Sequence, residues 1–327
     1  MTAEIEELAD GTLEGRAADV FAGTPYRCIE QIGSGGMAEV FIVEHRQLGK
    51  RSAIKLLRSQ LAHDRTLVDR LRVEYQALGR LNCPNIVATE GVGTTTDGRP
   101  YIVMEYVEGH TLEAELSAAE PPSVLETLQI AGFVLCALSE AHAIGIVHRD
   151  LKPSNVMVKR KPGGELQVKV LDFGVARILP EMSTFAPRPV EIPTADGVVV
   201  GTPRYVSPEG ALGQKVDQRA DLYGVGILLY LMLTGRGPFD HIDRDTGVLK
   251  AHILEEPRPP SDVARNPIPP ELDAIVLKAL AKNPDDRFCS AQEFLDALLP
   301  IWNGATCPSH LRDTGVASRE LLKLHGL

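Results

Sequence analysis

The chain has no Cys-x-x-Cys pair, no internal repeat, no apolar run as long as a membrane span and no excess of positive charge. Each absence closes off a class of protein. The five cysteines, Cys28, Cys83, Cys136, Cys289 and Cys307, are odd in number and scattered. Neither a zinc site nor a disulfide framework is indicated, and reduced thiols in a cytosolic compartment are the simplest account. The longest uninterrupted apolar stretch, Leu222 to Leu233, is about half of what a bilayer span requires and contains Gly224 and Gly226. The N-terminus is acidic and lacks the apolar core of a signal peptide. A formal net charge of -10 argues against nucleic acid or an anionic membrane as the primary partner. The expectation is a cytoplasmic protein with no membrane segment and no nucleic-acid partner.

What is present is a core-forming composition and one dense polar cluster. A length of 327 residues suggests about two domains, and 44% hydrophobic residues supply ample material for their cores. The cluster is His148-Arg149-Asp150-Leu151-Lys152-Pro153-Ser154-Asn155, followed seventeen residues after Asn155 by Asp172-Phe173-Gly174. It holds a candidate base, a cation, an amide and a second carboxylate. Phosphoryl transfer needs this assortment: one carboxylate to orient the incoming hydroxyl, a Lys to stabilise the moving charge, and an Asn and a second Asp to hold metal.

Upstream, Cys28–Ile32 alternates like a strand. Gly33-Ser34-Gly35-Gly36-Met37-Ala38-Glu39-Val40 follows, then a second strand at Phe41-Ile42-Val43. Glycines let backbone N–H groups approach phosphates without interference from Cβ. A dinucleotide-binding turn would lead into a helix, and here a strand comes instead. Ala53–Leu57 reads as the next strand, with Lys55 in apolar company where an unpaired ammonium is costly. A helix is expected from Leu67 to Leu81, carrying Glu74. Tyr101–Val107 reads as a buried strand, and Ser123–Ala143 as the helix that delivers the polar cluster.

These segments resemble the protein kinases, and most closely the bacterial eukaryotic-like (Hanks-type) Ser/Thr protein kinases. The cluster matches H-R-D-L-x-x-x-N at every fixed position. The resemblance covers about residues 26–299 and implies an α+β fold of two lobes. The N-lobe, about 26–107, would be a small antiparallel sheet with one main helix, and the C-lobe, about 108–299, larger and mainly helical. Residues 1–25 are read as an acidic tail, solvated or partly helical, and 300–327 as an extension of unassigned role.

The resemblance also implies roles. Asp150 accepts the substrate hydroxyl proton, Lys152 stabilises the transferred group, and Lys55 pairs with the nucleotide phosphates and with Glu74. Gly33, Ser34, Gly35 and Gly36 cover the phosphates, with Ala38 standing where the family has a third glycine. Val40 and Ala53 would lie above the adenine and Met157 below it. Met104 would stand behind the ring, and the backbone of Glu105 and Val107 would bond it. Asn155 and Asp172 would hold the metal. ATP with Mg²⁺, or Mn²⁺ in its place, is the implied cofactor set. Protein Ser/Thr hydroxyls are the implied acceptors, among them the chain's own in autophosphorylation.

Between Asp172 and Glu209 the chain is long and loop-like, ending in Gly201-Thr202-Pro203-Arg204-Tyr205-Val206-Ser207-Pro208-Glu209. That end resembles the kinase substrate-docking segment, with Ser207 in place of Ala. Arg149 is placed to pair with a phosphate on this loop, at Thr194, Thr184 or Ser183. Asp221, at the start of the apolar stretch Leu222–Leu233, resembles the buried Asp that bonds the catalytic-loop backbone; from the residues alone it reads as a plain helix N-cap, and the two roles are compatible. Arg287 resembles the partner of Glu209. Thr111, Ser154 and Leu231 stand where arginine-directed kinases carry acids, so no strong basophilic preference is expected. The rival from another class is a pseudokinase scaffold that binds nucleotide and partners without chemistry. Against it, no catalytic residue type is missing.

Overall fold

The computed structural model describes residues 20–35, 38–62, 75, 79, 81, 83–118, 121–162, 165–173 and 203–306. They fall into two compact units, residues 1–82 with 87–107, and residues 83–86 with 108–327.

The first unit is a five-stranded antiparallel sheet of β1 (Tyr26–Ser34), β2 (Ala38–His45), β3 (Arg51–Leu57), β4 (Thr89–Thr94) and β5 (Pro100–Glu105). Its strand order is β1-β2-β3-β5-β4. Alternation decides the faces, because successive side chains in a strand point opposite ways. Phe41 and Val43, Ile54 and Leu56, and Tyr101 and Val103 all turn to one side and build the core. β5 ends at Glu105, two residues short of the expected strand. β4 carries Gly91 and Gly93, which weaken its signal in the sequence. Gly93 is required, since a Cβ there would collide with the Tyr101 ring.

Phe21 completes that core. It is fully buried, edge-on to Phe41 at 5.3 Å between ring centroids and to Tyr101 at 6.3 Å. Thr24 Oγ1 donates to the Phe21 carbonyl at 2.8 Å and tightens the turn into β1. The expected tail through residue 25 is therefore corrected at its end: residues from Val20 onward belong to the folded unit. The reason is an aromatic ring filling the open face of the sheet, a contact made without any periodic pattern.

In the second unit, β6 (His110–Thr111), β7 (Val156–Arg160) and β8 (Leu166–Val170) form a small antiparallel sheet beside the helices. The helix Val124–Ala143 opens with a capping box, Ser123 accepting from the Glu126 N–H while the Glu126 carboxylate accepts from the Ser123 N–H. Among the described residues this is the one helix long and apolar enough to cross a membrane, but 61% of that apolar window is buried inside the fold. It packs against the helices Gln218–Thr234 and Ala291–Thr306. It is a core helix.

The expected close of the fold at Leu299 is also corrected. The last helix continues past Pro300, and the chain's single Trp, Trp302, is 95% buried, with 5% exposed. A Cβ on Gly132 would stand 2.8 Å from the Trp302 ring, so the glycine makes the seat for the indole. Residues after 306 lie outside those described.

A buried imidazole gives the second unit a pH dependence. His252 is fully buried on the helix Asp245–Leu254, with Nδ1 at 2.8 Å from the Tyr223 hydroxyl and its ring edge-on to Phe239. Burial, helped by the Lys282 ammonium, lowers its pKa from 6.5 to about 3. The unfolded chain therefore binds this proton more readily than the folded one. Stability from His252 is complete above pH 6.5 and drains away as pH falls from 6.5 toward 3. Thermal unfolding midpoints across that range should fall for the native protein, and the slope should flatten in His252→Gln.

Candidate active site

On the first unit, strand register collects most of the residues expected to hold nucleotide. Gly33 pairs with Val40, and Val40 pairs with Lys55, making one row across three strands. Ala53 pairs with Met104 in a neighbouring row on the same face. That face is the one turned away from the Phe21 core. The Glu105 N–H already donates to the Ala88 carbonyl at 3.0 Å, so an adenine contact there falls to the Glu105 carbonyl. Val107 follows, half-buried, after the end of β5. Ser34 ends β1, and the Gly35 N–H closes the turn on the Ala38 carbonyl at 2.9 Å. No Cβ stands on Gly33 or Gly35 to block a phosphate. Gly36 and Glu74 lie outside the described residues, as do Ser183, Thr184, Thr194 and Thr202.

On the second unit the polar cluster is folded tightly around Asp150. Lys152 Nζ donates to Asp150 Oδ2 at 2.8 Å. Asn155 Nδ2 donates to the Asp150 carbonyl at 2.8 Å and approaches its Oδ2 at 3.4 Å. With its amide nitrogen so engaged, Asn155 presents Oδ1 as its remaining donor atom for a cation. Together with the Asp172 carboxylate this is a hard oxygen pair of the kind small divalent cations take. The residues present thus fit the metal that the fold family implies. Leu171, next to Asp172, donates its N–H to the Asn155 carbonyl at 2.9 Å and ties the two ligand-bearing segments together. Met157 is half-buried on β7, in register with Thr111 and Lys169.

Two buried groups hold this loop in shape. His148 Nε2 lies 2.8 Å from the Leu171 carbonyl, which can only accept, so Nε2 carries the proton. Nδ1 is then free to accept from the Asp150 N–H at 3.3 Å. The ring sits edge-on to Phe173 at 4.8 Å. Asp221 is 1% exposed and accepts from the His148 N–H, the Arg149 N–H and His142 Nε2, each at 2.8 Å. The N-cap reading of Asp221 is corrected: Asp217 caps this helix, which starts at Gln218 and leaves Asp221 in its first turn. His142 is part of this network. Its place beside Asp221 comes from tertiary packing, and its spacing in the sequence carried no sign of it.

Backbone strain concentrates here. Arg149 (φ 68°) and Asp172 (φ 57°) are the non-glycine residues with positive φ among those described. Such conformations cost about 1–3 kcal/mol each and persist only where the surroundings enforce them. At Arg149 the enforcement is the Asp221 carboxylate.

Beyond the catalytic loop, Ser207 accepts from the Gly210 N–H at 3.2 Å and caps the short helix Pro208–Ala211. That accounts for Ser where the resemblance has Ala. Glu209 and Arg287 form a two-pronged ion pair at 2.8 and 2.7 Å, both buried. Cys136 is a core thiol, its pKa pushed by burial up to about 11, which leaves it unreactive.

The two units carry the residue set of a phosphotransferase of the kinase fold, and the comparisons with known proteins agree. The Protein kinase domain family matches residues 26–298, and the chain belongs to that family. It is a bacterial Hanks-type member. It is 42% identical over 272 residues to the serine/threonine-protein kinase pkn3 of Myxococcus xanthus, covering 82% of this chain and 48% of that protein. To the serine/threonine-protein kinase PknB of Mycolicibacterium smegmatis it is 40% identical over 282 residues, or 85% of this chain and 43% of that one. The chain thus spans less than half the length of these two relatives. Among solved structures, the kinase domain of Mycobacterium tuberculosis PknI matches with a TM-score of 0.64 at 27% identity, over 86% of this chain and 98% of that one.

Proposed function

We propose that the chain is a non-specific serine/threonine protein kinase that transfers the γ-phosphoryl group of ATP, with Mg²⁺ or Mn²⁺, to protein Ser or Thr hydroxyls. The observation that carries this reading is the arrangement around Asp150. Its carboxylate is half exposed, at 50%, and is gripped on one side by Lys152, with the loop backbone locked by Asn155 and Asp221. Asp150 orients the incoming hydroxyl and takes its proton as the new P–O bond forms and the bond to ADP breaks. Lys152, shared with Asp150, stabilises the charge on the moving phosphoryl oxygens. A bound divalent cation neutralises the phosphates, and Asn155 and Asp172 would hold it. Lys55, at the centre of the first sheet, is the residue to anchor the nucleotide phosphates.

Phosphorylation of the chain's own loop at Thr194, Thr184 or Ser183 would activate it. In support, Arg149 Nε is buried and has no hydrogen-bond partner among the described residues. Work in a reducing cytoplasm fits the four described cysteines, all of which are free thiols.

The test is incubation with ATP and Mg²⁺ beside an Asp150→Asn variant, with phosphosites mapped by mass spectrometry. Phosphate on the native chain alone supports the reading. Nucleotide binding without incorporation in either protein would favour a scaffold. Thr111, Ser154 and Leu231 offer no carboxylate to an arginine upstream of the target. An arrayed peptide library should accordingly show no dominant upstream Arg, and a strong one would refute this specificity.

A further inference from the structure

The turn between β1 and β2 is held from outside by an arginine to which the catalytic scheme gives no role. Arg58 directly follows β3. Its Nε donates to the Gly35 carbonyl at 2.8 Å, and Nη2 donates to Ser34 Oγ at 2.7 Å. Two prongs of one planar guanidinium thus grip two consecutive residues at the tip of the glycine loop, a geometry that a single ammonium cannot reproduce. In register, Ala38 pairs with Leu57, so Arg58 lies just past the mouth of the turn and reaches across β2 to the end of β1.

The base of this clamp is itself fixed. Arg99, 9% exposed, donates Nε to the Leu57 carbonyl at 2.9 Å, which holds the residue before Arg58. Its Nη2 donates to Glu39 at 2.6 Å. Glu39 is the residue opposite Ser34 on the return limb.

We infer that Arg58 is a positioning residue for nucleotide: through the Gly35 carbonyl and Ser34 Oγ it fixes the start of the glycine loop from the face opposite the Val40 and Lys55 row. The clamp also places a guanidinium beside a loop whose residues 33–40 include no cation. Nucleotide then meets Ser34 and Gly35 already held, with less conformational freedom left to lose on binding.

The inference rests on the ATP reading, and the experiment separates the two. ATP–Mg²⁺ is titrated against the native protein, Arg58→Ala, Arg58→Lys, Ser34→Ala and the Arg58→Ala/Ser34→Ala pair. Both Kd by calorimetry and KM with kcat by phosphate transfer are read. Arg58→Ala should raise Kd and KM roughly three- to tenfold, with kcat changed by less than about twofold, the size of a lost exposed, charge-assisted hydrogen bond. Ser34→Ala should act in the same direction. The pair should be no worse than Arg58→Ala alone, because the contact that Ser34→Ala removes is one of the two already lost with Arg58. Arg58→Lys should recover part of the loss. Unchanged Kd in Arg58→Ala overturns the inference, as do effects that multiply in the pair. A native protein that binds ATP without transferring phosphate overturns the kinase reading and leaves Kd to decide on Arg58. One that does not bind ATP overturns both.

Discussion

Asp221→Asn is expected to cut the rate of phosphate transfer by on the order of a hundredfold and to destabilise the fold by about 2–4 kcal/mol. The substitution keeps the shape of the side chain and removes its charge. In the native protein both carboxylate oxygens accept, Oδ1 from Arg149 and Oδ2 from His148 and His142. An asparagine has one oxygen and one NH₂ in the same space. Whichever way it turns, at least one N–H donor of the catalytic loop faces another donor. That donor is buried, so the loss includes its full desolvation. The consequence reaches chemistry through the backbone. Arg149 holds a left-handed φ of 68° because its N–H is bound, and Asp150 is the next residue. With the bond gone the loop relaxes toward ordinary φ, and the Asp150 carboxylate moves off the line it shares with Lys152. Transfer rates and urea midpoints, measured on the same preparations, separate the two effects. Transfer within about twofold of native would show that the Asp221 network does not position the catalytic loop. His142→Ala removes one of the donors and should have the smaller effect.

The catalytic loop was legible in the sequence because its chemistry dictates its spacing. Asp150, Lys152 and Asn155 must converge on one point, and a loop of six residues can do that in few ways. The structure brings these three together, and β1, β2 and β3 form where alternation places them. The row of Gly33, Val40 and Lys55 follows from that register.

What was illegible was set by tertiary packing. Phe21 stands alone among acidic and small residues, with no neighbours in period, yet it fills the sheet face against Phe41 and Tyr101. Trp302 follows a proline inside a helix, where a chain end looks natural, and Gly132 on a distant helix makes room for it. β4 was missed because two of its six residues are glycines, one of them demanded by the Tyr101 ring. Asp221 is a fair N-cap by sequence, and only the packed helix shows that Asp217 caps in its place. Arg58 left no signal, since an arginine after a strand is an ordinary surface residue until its partners are seen.

The buried pair of Glu209 and Arg287 should carry the largest cost to stability among the ion pairs described. Arg287→Ala is expected to destabilise by about 3–5 kcal/mol, because the Glu209 carboxylate is left buried and unpaired. Arg287 does more than pair. Its guanidinium also donates to the carbonyls of Ala281, Arg219 and Lys282, at 2.7, 3.1 and 3.0 Å, and stacks 4.8 Å from the Tyr223 ring centre. This predicts an asymmetry. Glu209→Gln keeps a hydrogen-bond acceptor and leaves every carbonyl contact intact, so it should cost less than Arg287→Ala. Replacing both residues by apolar ones of similar size often recovers the loss from a broken buried pair. Here the double change Glu209→Leu/Arg287→Met should recover only part of it, since three carbonyls are left without their donor in either case. Denaturant midpoints of the two single variants and the double variant test this. Full recovery in the double variant would show the pair to be dispensable packing. Partial recovery would show that Arg287 holds the segment carrying Glu209 mainly by tying together the backbone around it.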